Sequence, residues 1–124
     1  MTEKWVLVKN TTMENSTLAR ARWCDSTLCR LRGLTFRGPL KDQEGLILVE
    51  PVESRIGTSI HMMGVFFSLG VVWINAQNLV VDKRLARPGG FYFPGASARY
   101  VLEAEPAILN RVKVGDFLEF TDAP

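Results

Sequence analysis

The feature that most constrains this chain is its punctuation. Short runs rich in Val, Ile, Leu and aromatics follow one another, and turn-forming residues stand between them. Such runs form strands, and Trp5–Lys9, Leu46–Val49, Leu69–Asn75, Leu79–Leu85, Ala98–Glu103 and Phe117–Phe120 all read that way. Leu18–Ala21 extends a weaker strand, and Ser59–Phe67 reads as a longer one. Leu46–Val49 is apolar at every position and needs cover on both faces, and Pro51 is expected to stop it, since proline cannot donate to a ladder.

Connections this short suit antiparallel hairpins, because parallel strands need long helical crossovers. Ala76-Gln77-Asn78 reads as one hairpin turn, with Asn78 tolerating positive φ. Helical signals are brief. Asp25 or Ser26 can cap Thr27–Arg32, with Gly33 closing it, and Pro106 suits the first turn of a second short helix to about Asn110. The pattern predicts a mostly β fold, a compact antiparallel β-sandwich or barrel-like single domain over residues 1–124, with one or two short helices.

The order of these features resembles the domain of unknown function 192 family, also called uncharacterised ACR, which implies a β-sandwich-like fold over about residues 19–120. Gly33-Leu34 with Arg37 is similar to its Gly-Leu-x-x-Arg signature, Gly45–Leu48 to its next strand and Ser59-Ile60-His61 to a Ser-x-Ile-His variant. Ala98–Glu103 resembles its Ala-x-x-Val-Leu-Glu segment, and Gly115-Asp116 its closing turn. The chain departs from the pattern before the central strand, where Ser68 and Gly70 replace a proline and an aspartate, and no Lys or Arg occurs between Ile56 and Asp82. The family carries no established reaction, so the resemblance implies a fold and not an activity.

Charge adds little: a net +2 neither demands nor forbids an acidic partner. Basic residues gather between Arg20 and Lys41, and acidic ones from Glu103 onward, which predicts either a dipolar surface or mutual pairing. The start, Met1–Trp5, lacks the pattern of a signal peptide, and the longest apolar stretch, Ile60–Ile74, is broken by Gly64, Ser68 and Gly70. A cytoplasmic, non-membrane protein is expected. Placed on one helix, Cys24 and Cys29 would have Cα atoms roughly 8 Å apart, beyond the ~7 Å reach of a bridge. Reduced thiols packed beside Trp23 and Leu28 are therefore expected.

Few side chains offer chemistry. His61 is the only histidine and, between Ile56 and Val81, the only ionisable group, so it reads as a ligand-binding imidazole or as a structural one bonded to Ser59 or a carbonyl. Arg37, Arg99 and Arg55 can grip an anion through their guanidinium forks. Arg99 can equally pair with Glu103 on its own strand, and Arg37 can cap a loop. Phe91-Tyr92-Phe93 cannot all point inward, because neighbours alternate, so one of them is open to a ligand, a partner or a second subunit.

A Ser59–His61 pair lacks a nucleophile elbow. The soft ligands Cys24, Cys29, His61, Met62 and Met63 have poor spacing for a metal. Basic and aromatic stretches stand apart, against the layout of a nucleic-acid surface. The sequence therefore favours a non-catalytic small-ligand-binding or accessory domain, with Arg37, His61, Tyr92 and Arg99 as candidate ligand contacts, and with no catalytic residue, metal or cofactor expected. The alternatives are a small hydrolase-like enzyme using His61 as general base, and an interaction domain or homodimer docking through Phe91–Phe93.

Overall fold

The computed structural model describes residues 3–33, 40–41 and 43–124; Arg37, a sequence candidate, lies outside them. Among the described residues the strands are β1 (Trp5–Asn10), β2 (Ser16–Cys24), β3 (Glu44–Ser54), β4 (Ile60–His61), β5 (Leu69–Ile74), β6 (Val80–Ala86), β7 (Phe91–Tyr92), β8 (Ala98–Ala104) and β9 (Leu118–Asp122). A six-residue helix, α1 (Thr27–Arg32), and a 3-10 turn at Pro106–Asn110 accompany them. The mostly β expectation holds.

Seven strands form one curled sheet in the order β6-β5-β8-β3-β2-β1-β9, and β4 pairs with β7 in a small second sheet. The two edges of the large sheet meet at one end, where Leu79 bridges Phe117 and the Val80 N–H donates to the Asp116 carbonyl at 2.8 Å. The result is a half-barrel with a seam.

Alternation along the central strands sends side chains into two separate cores. Ile47, Val49, Val72, Ile74, Tyr100 and Leu102 fill the inner one. Leu46, Leu48, Val71, Trp73 and Val101 face outward, where Ile60, Met62 and Val65 from the β4 region cover them. All six residues of β5 are buried, which is why this segment is apolar throughout. Trp73 locks the outer layer down by donating its indole N–H to the Thr58 carbonyl at 2.7 Å.

The 3-10 turn plugs the inner face. Lys83 Nζ donates to the Leu109 and Val112 carbonyls at 2.6 and 2.9 Å and so satisfies the end of the turn. Gly70 makes room for this plug: a Cβ there would lie 2.7 Å from Ile108 Cγ2 and 2.9 Å from the Glu105 carbonyl oxygen. The position where the related pattern carries an aspartate is thus a packing contact in this chain.

Four sequence readings are corrected. The pairing is not wholly antiparallel, since β2 and β3 run parallel. The chain between Cys24 and Glu44, with α1 in it, is long enough for that single crossover. Pro51 does not end β3, which continues to Ser54; it breaks the ladder to β8, whose register jumps between Val49↔Tyr100 and Ser54↔Ala98. Ser59–Phe67 is strand only at Ile60–His61, because the Val65 N–H turns back to the Met62 carbonyl and Gly64 adopts a φ of +77°. The cysteines are joined to each other. Cys24 ends β2 instead of sharing the helix, so the turn at Asp25-Ser26 brings the two Cα atoms to 5.6 Å.

Among the described residues the ion pairs of the basic front are with acids outside the acidic end, Arg22 with Glu3 and Arg30 with Glu50. Asp122 of the acidic end pairs with Lys4 at 3.9 Å, and Arg20 stacks over the Trp5 ring at 4.3 Å. The seam depends more on Asp116, which is buried and accepts from Asn10 Nδ2 at 2.8 Å and from the Lys113 N–H at 2.9 Å. Asn10 is itself fully buried, and its Oδ1 accepts from the Thr12 and Met13 N–H groups. Asn10→Ala or Asp116→Ala strands buried partners and is expected to cost about 1–3 kcal/mol in urea unfolding; unchanged midpoints would refute the seam's role. Reduction of the Cys24–Cys29 bridge should accelerate amide exchange in α1 by about tenfold or more while leaving β3 and β8 protected. Equal protection of α1 in both redox states would show that the bridge does not hold the helix.

Candidate functional site

Glu103 occupies the next-to-last position of β8, on the outer face, between Leu46 of β3 and Val71 of β5. Neither neighbour offers it a donor. Alternation puts Glu103 on the same face as Val101, and both sit under the layer carrying β4. The side chain is 5% exposed, and its Oε1 has no hydrogen-bond partner among the described residues. Burial pushes its pKa up from 4.5 to about 7, because a carboxylate without compensating donors is disfavoured away from water.

Above this carboxyl lies a cavity of about 60 Å³. The end of α1 supplies one wall, with Arg30, Leu31 and Gly33, and β4 with its approach supplies the other, with Ser59, Ile60 and His61. Leu48 and Val65 complete an apolar lining. Gly33 ends α1 with a φ of +51°, and a Cβ on it would lie 3.7 Å from Glu103 Oε1, so the helix terminus sits directly over the acid.

Local sequence explains the wall. Ser26 Oγ accepts from the Cys29 N–H at 3.2 Å and starts α1, and the Gly33 N–H returns to the Cys29 carbonyl. No residue of α1 is buried. What holds it is the bridge to Cys24 and the side chain of Arg30, which pairs with Glu50 at 3.4 Å and donates to the Asp25 and Val49 carbonyls. The Arg30 head group is thereby occupied by these partners.

The candidates read from the sequence do not all meet. His61 lies at the mouth of the Glu103 cavity, exposed, with Nδ1 accepting from the Met63 N–H at 3.3 Å. Tyr92 is half-buried, and its hydroxyl accepts from the Arg87 N–H at 2.8 Å. Arg99 lines a different hollow with Trp23 and Glu50; its Nε donates to the Glu50 carbonyl and one terminal nitrogen to the Tyr100 hydroxyl. It does not pair with Glu103. Arg55 donates to the Pro94 carbonyl. In the aromatic loop Phe91 and Phe93 are exposed while Tyr92 packs against the outer core, and the His61 and Phe91 rings are 6.4 Å apart.

Nucleophilic and metal chemistry find little support in these contacts. The Ser59 hydroxyl donates to the Ile56 carbonyl at 2.6 Å and not to His61. The two sulfurs are bonded to each other and so present no thiolate to a soft metal, while Met62 is buried and Met63 exposed.

A wider hollow of about 370 Å³ lies on the other side of Gly33, between α1 and the start of β1, lined by Trp5, Arg22 and Leu28. Two of its charged lining residues, Arg22 and Glu3, pair with each other at 3.5 Å, Arg32 is exposed at its edge, and none of its lining residues is a buried polar group that could direct a ligand. The smaller cavity does have a buried polar residue, Glu103, in its lining. The sequence presents Glu103 as the start of the acidic end, as a partner for Arg99 and as the last residue of the Ala-x-x-Val-Leu-Glu segment, but not as a ligand contact. The usable signal is an acid in a segment that otherwise reads Ala98-Arg99-Tyr100-Val101-Leu102, at a position facing cover and not solvent.

Comparison with known proteins places these residues in a family. The model of the uncharacterized ACR family, domain of unknown function 192, matches residues 8–120. The chain belongs to that family. A UPF0127 protein of Pyrococcus furiosus is 34% identical over 113 residues, covering 90% of this chain and 95% of its own length. A UPF0127 protein of Pyrococcus abyssi is 31% identical over 98 residues, 77% of this chain and 81% of its own. The same fold occurs in crystal structures of a candidate transcription regulator from Sinorhizobium meliloti and of a protein of unknown function from Novosphingobium aromaticivorans. The first has a TM-score of 0.81 at 18% identity, covering 96% of this chain and 94% of that one. The second has a TM-score of 0.76 at 22% identity, covering 94% and 84%. These relatives establish family and fold, and the function of the family is unknown. Gly33 and Glu103, which face each other across the cavity, both fall within the segments that carry the resemblance.

The raised pKa of Glu103 has a thermodynamic consequence. The unfolded chain ionises from about pH 4.5 while the folded protein keeps the proton to about 7. The folded form therefore binds more protons between these values, and its stability is full below 4.5 and falls as pH rises to about 7. The loss amounts to about 3 kcal/mol at most. Glu103→Gln should flatten this part of the stability-against-pH curve in urea titrations; wild-type and variant curves that stay parallel would refute the assignment.

Proposed function

We propose that this chain is a non-catalytic ligand-binding domain whose recognition site is the Glu103 cavity, with His61 at its entrance. The observation that carries the reading is the buried Oε1 with no partner among the described residues, facing an open cavity. Leaving such a group unpaired costs about 1–3 kcal/mol. A native fold tolerates that cost where an incoming group is to supply the missing bond. Compared with the sequence reading, the weight moves from Arg99, whose donors are committed to Glu50 and Tyr100, to Glu103, while His61 keeps its place. Binding is favoured over hydrolysis because the Ser59 hydroxyl is bonded to a carbonyl and not to the imidazole.

A second reading rests on Phe91 and Phe93, which are 66% and 59% exposed beside the same entrance and would suit a protein partner or a second copy of the chain. As for location, the cytoplasm expected from the sequence and the Cys24–Cys29 bridge pull in opposite directions, since bridges persist mainly in oxidising compartments.

Three measurements test these readings. Amide NMR spectra titrated with a fragment set of amines, alcohols, carboxylic acids and sugars should move the signals of Gly33, Ser59, His61 and Glu103. Glu103→Ala should weaken whatever binds by about tenfold or more; shifts confined to the Trp5 and Arg22 side, or undiminished binding, would reject the site. Sedimentation that stays monomeric, unchanged in Phe91→Ala, would reject the homodimer. Thiol alkylation in intact cells should find the cysteines blocked if the compartment is oxidising and modified if it is not.

A further inference from the structure

We propose that the Glu103 cleft takes an organic cation, a primary ammonium or guanidinium group on an apolar stem, with the buried carboxylate oxygen as its acceptor. The inference rests on the reading of the cleft as a binding site and adds the class of its ligand.

Size comes first. A space of about 60 Å³ holds the volume of roughly two waters, enough for a head group and no more. The remainder of a ligand must lie outside, across the entrance. The entrance offers apolar surface between its polar groups: Leu31 is 71% exposed on one side, and Met63 and Phe91 are exposed on the other, beside His61, with Arg32 at the rim. An aliphatic stem can lie along Leu31, Met63 and Phe91, where the polar groups of a sugar or nucleotide would find no bonding partner.

Charge selects the head group. The floor of the cavity presents an acceptor, and Leu48, Ile60 and Val65 around it present neither donor nor charge. An anion would meet the carboxyl with like charge. An alcohol supplies one donor, but an ammonium supplies three donors and a positive charge, and bonds between ions are about twice as strong as neutral ones. Among the described residues, the ionisable groups that line the cavity besides Glu103 are Arg30 and Arg32 on α1 and His61 on β4, while β3 and β5 place Leu46 and Val71 beside the acid. Arg30 does not fill the role, because its head group is held by Glu50, Asp25 and Val49. Arg32 is exposed at the rim, where the small cavity adjoins the wide hollow.

Proton balance follows from the chemistry. Below neutral pH the cation displaces the carboxyl proton to solvent, and above it the cation meets a carboxylate already formed, so affinity rises with pH and levels off above about 7.

The experiment uses the full chain, with the side-chain carboxyl carbon of Glu103 followed by NMR while n-butylammonium, n-butylguanidinium, n-butanol and n-butyrate are added in turn. The two cations should lower the titration midpoint of Glu103 by about one pH unit or more. Glu103→Gln, which keeps the shape of the side chain, should bind them at least about tenfold more weakly. Arg32→Gln should bind them as well as the parent or better. Equal binding of n-butanol with shifts at Glu103 and Gly33 would overturn the cation class and leave the cleft as a binding site. Undiminished ammonium binding to Glu103→Gln, its loss in Arg32→Gln, or no response of Glu103 to any probe would overturn the proposal, and the last would remove the cleft reading with it. A blocked Leu-Lys-Leu peptide separates the sources: tighter binding than n-butylammonium identifies a lysine side chain of a partner, and binding no tighter identifies a free amine.

Discussion

Everything in this molecule depends on three strands that have no face to spare. β3, β5 and β8 run through the middle of the sheet with one core beneath them and another above. The inner core is closed by the curl of the sheet and the 3-10 plug; the outer one exists only because the β4–β7 pair and the turns around it lie across the strands. Along residues 45–49, 69–74 and 100–104 a residue is removed from water whichever way its side chain points. That is how an acid at an outward-facing position of β8 comes to be buried. A two-layer arrangement of this kind leaves one polar residue in an apolar strand buried and short of a partner among the described residues.

The fold was largely legible because its central strands are apolar at nearly every position and its connections are short. Leu46–Val49 and Leu69–Ile74 announce cover on both sides, and Asn78 takes the positive φ that its turn requires. The misreadings came where tertiary contacts overrule local signals. Pro51 lies in the irregular stretch between the Val49↔Tyr100 and Ser54↔Ala98 pairings of β3 with β8, where no ladder donor is needed. The Met62-Met63-Gly64 segment has strand composition, but the Met62 N–H is drawn to the Gly90 carbonyl and the chain then turns. The cysteine pair defeats spacing arguments because a strand end and a helix meet within it.

The site was only half legible. His61 was visible as a lone imidazole, and it stands at the entrance. Glu103 was hidden by an assumption that a charged residue beside Arg99 on one strand will find it, whereas Arg99 is drawn to the Glu50 carbonyl across the β3–β8 pair. The departures at Ser68 and Gly70 also have a different meaning in three dimensions. Gly70 neighbours the 3-10 turn on the inner face, and Glu103 faces outward, so a change at one does not subtract from the other. In this chain Gly70 makes room for the plug, and the acid and the glycine above it face each other on the opposite side of the sheet.

The helix that roofs the acid has a consequence of its own. None of its residues is fully buried and of its side chains only the partly buried Cys29 packs against a core, so hydrophobic burial does little to decide where it rests. Its position is set by one covalent tie to the end of β2 and by the reach of a single guanidinium to Glu50 and neighbouring carbonyls. A roof fastened at so few points can lift without disturbing the walls, and the sulfur tie makes the height of that roof a matter of electron supply as well as of shape. Any grip this chamber has on a guest would then carry a record of the surrounding redox balance, written in the angle of one short helix.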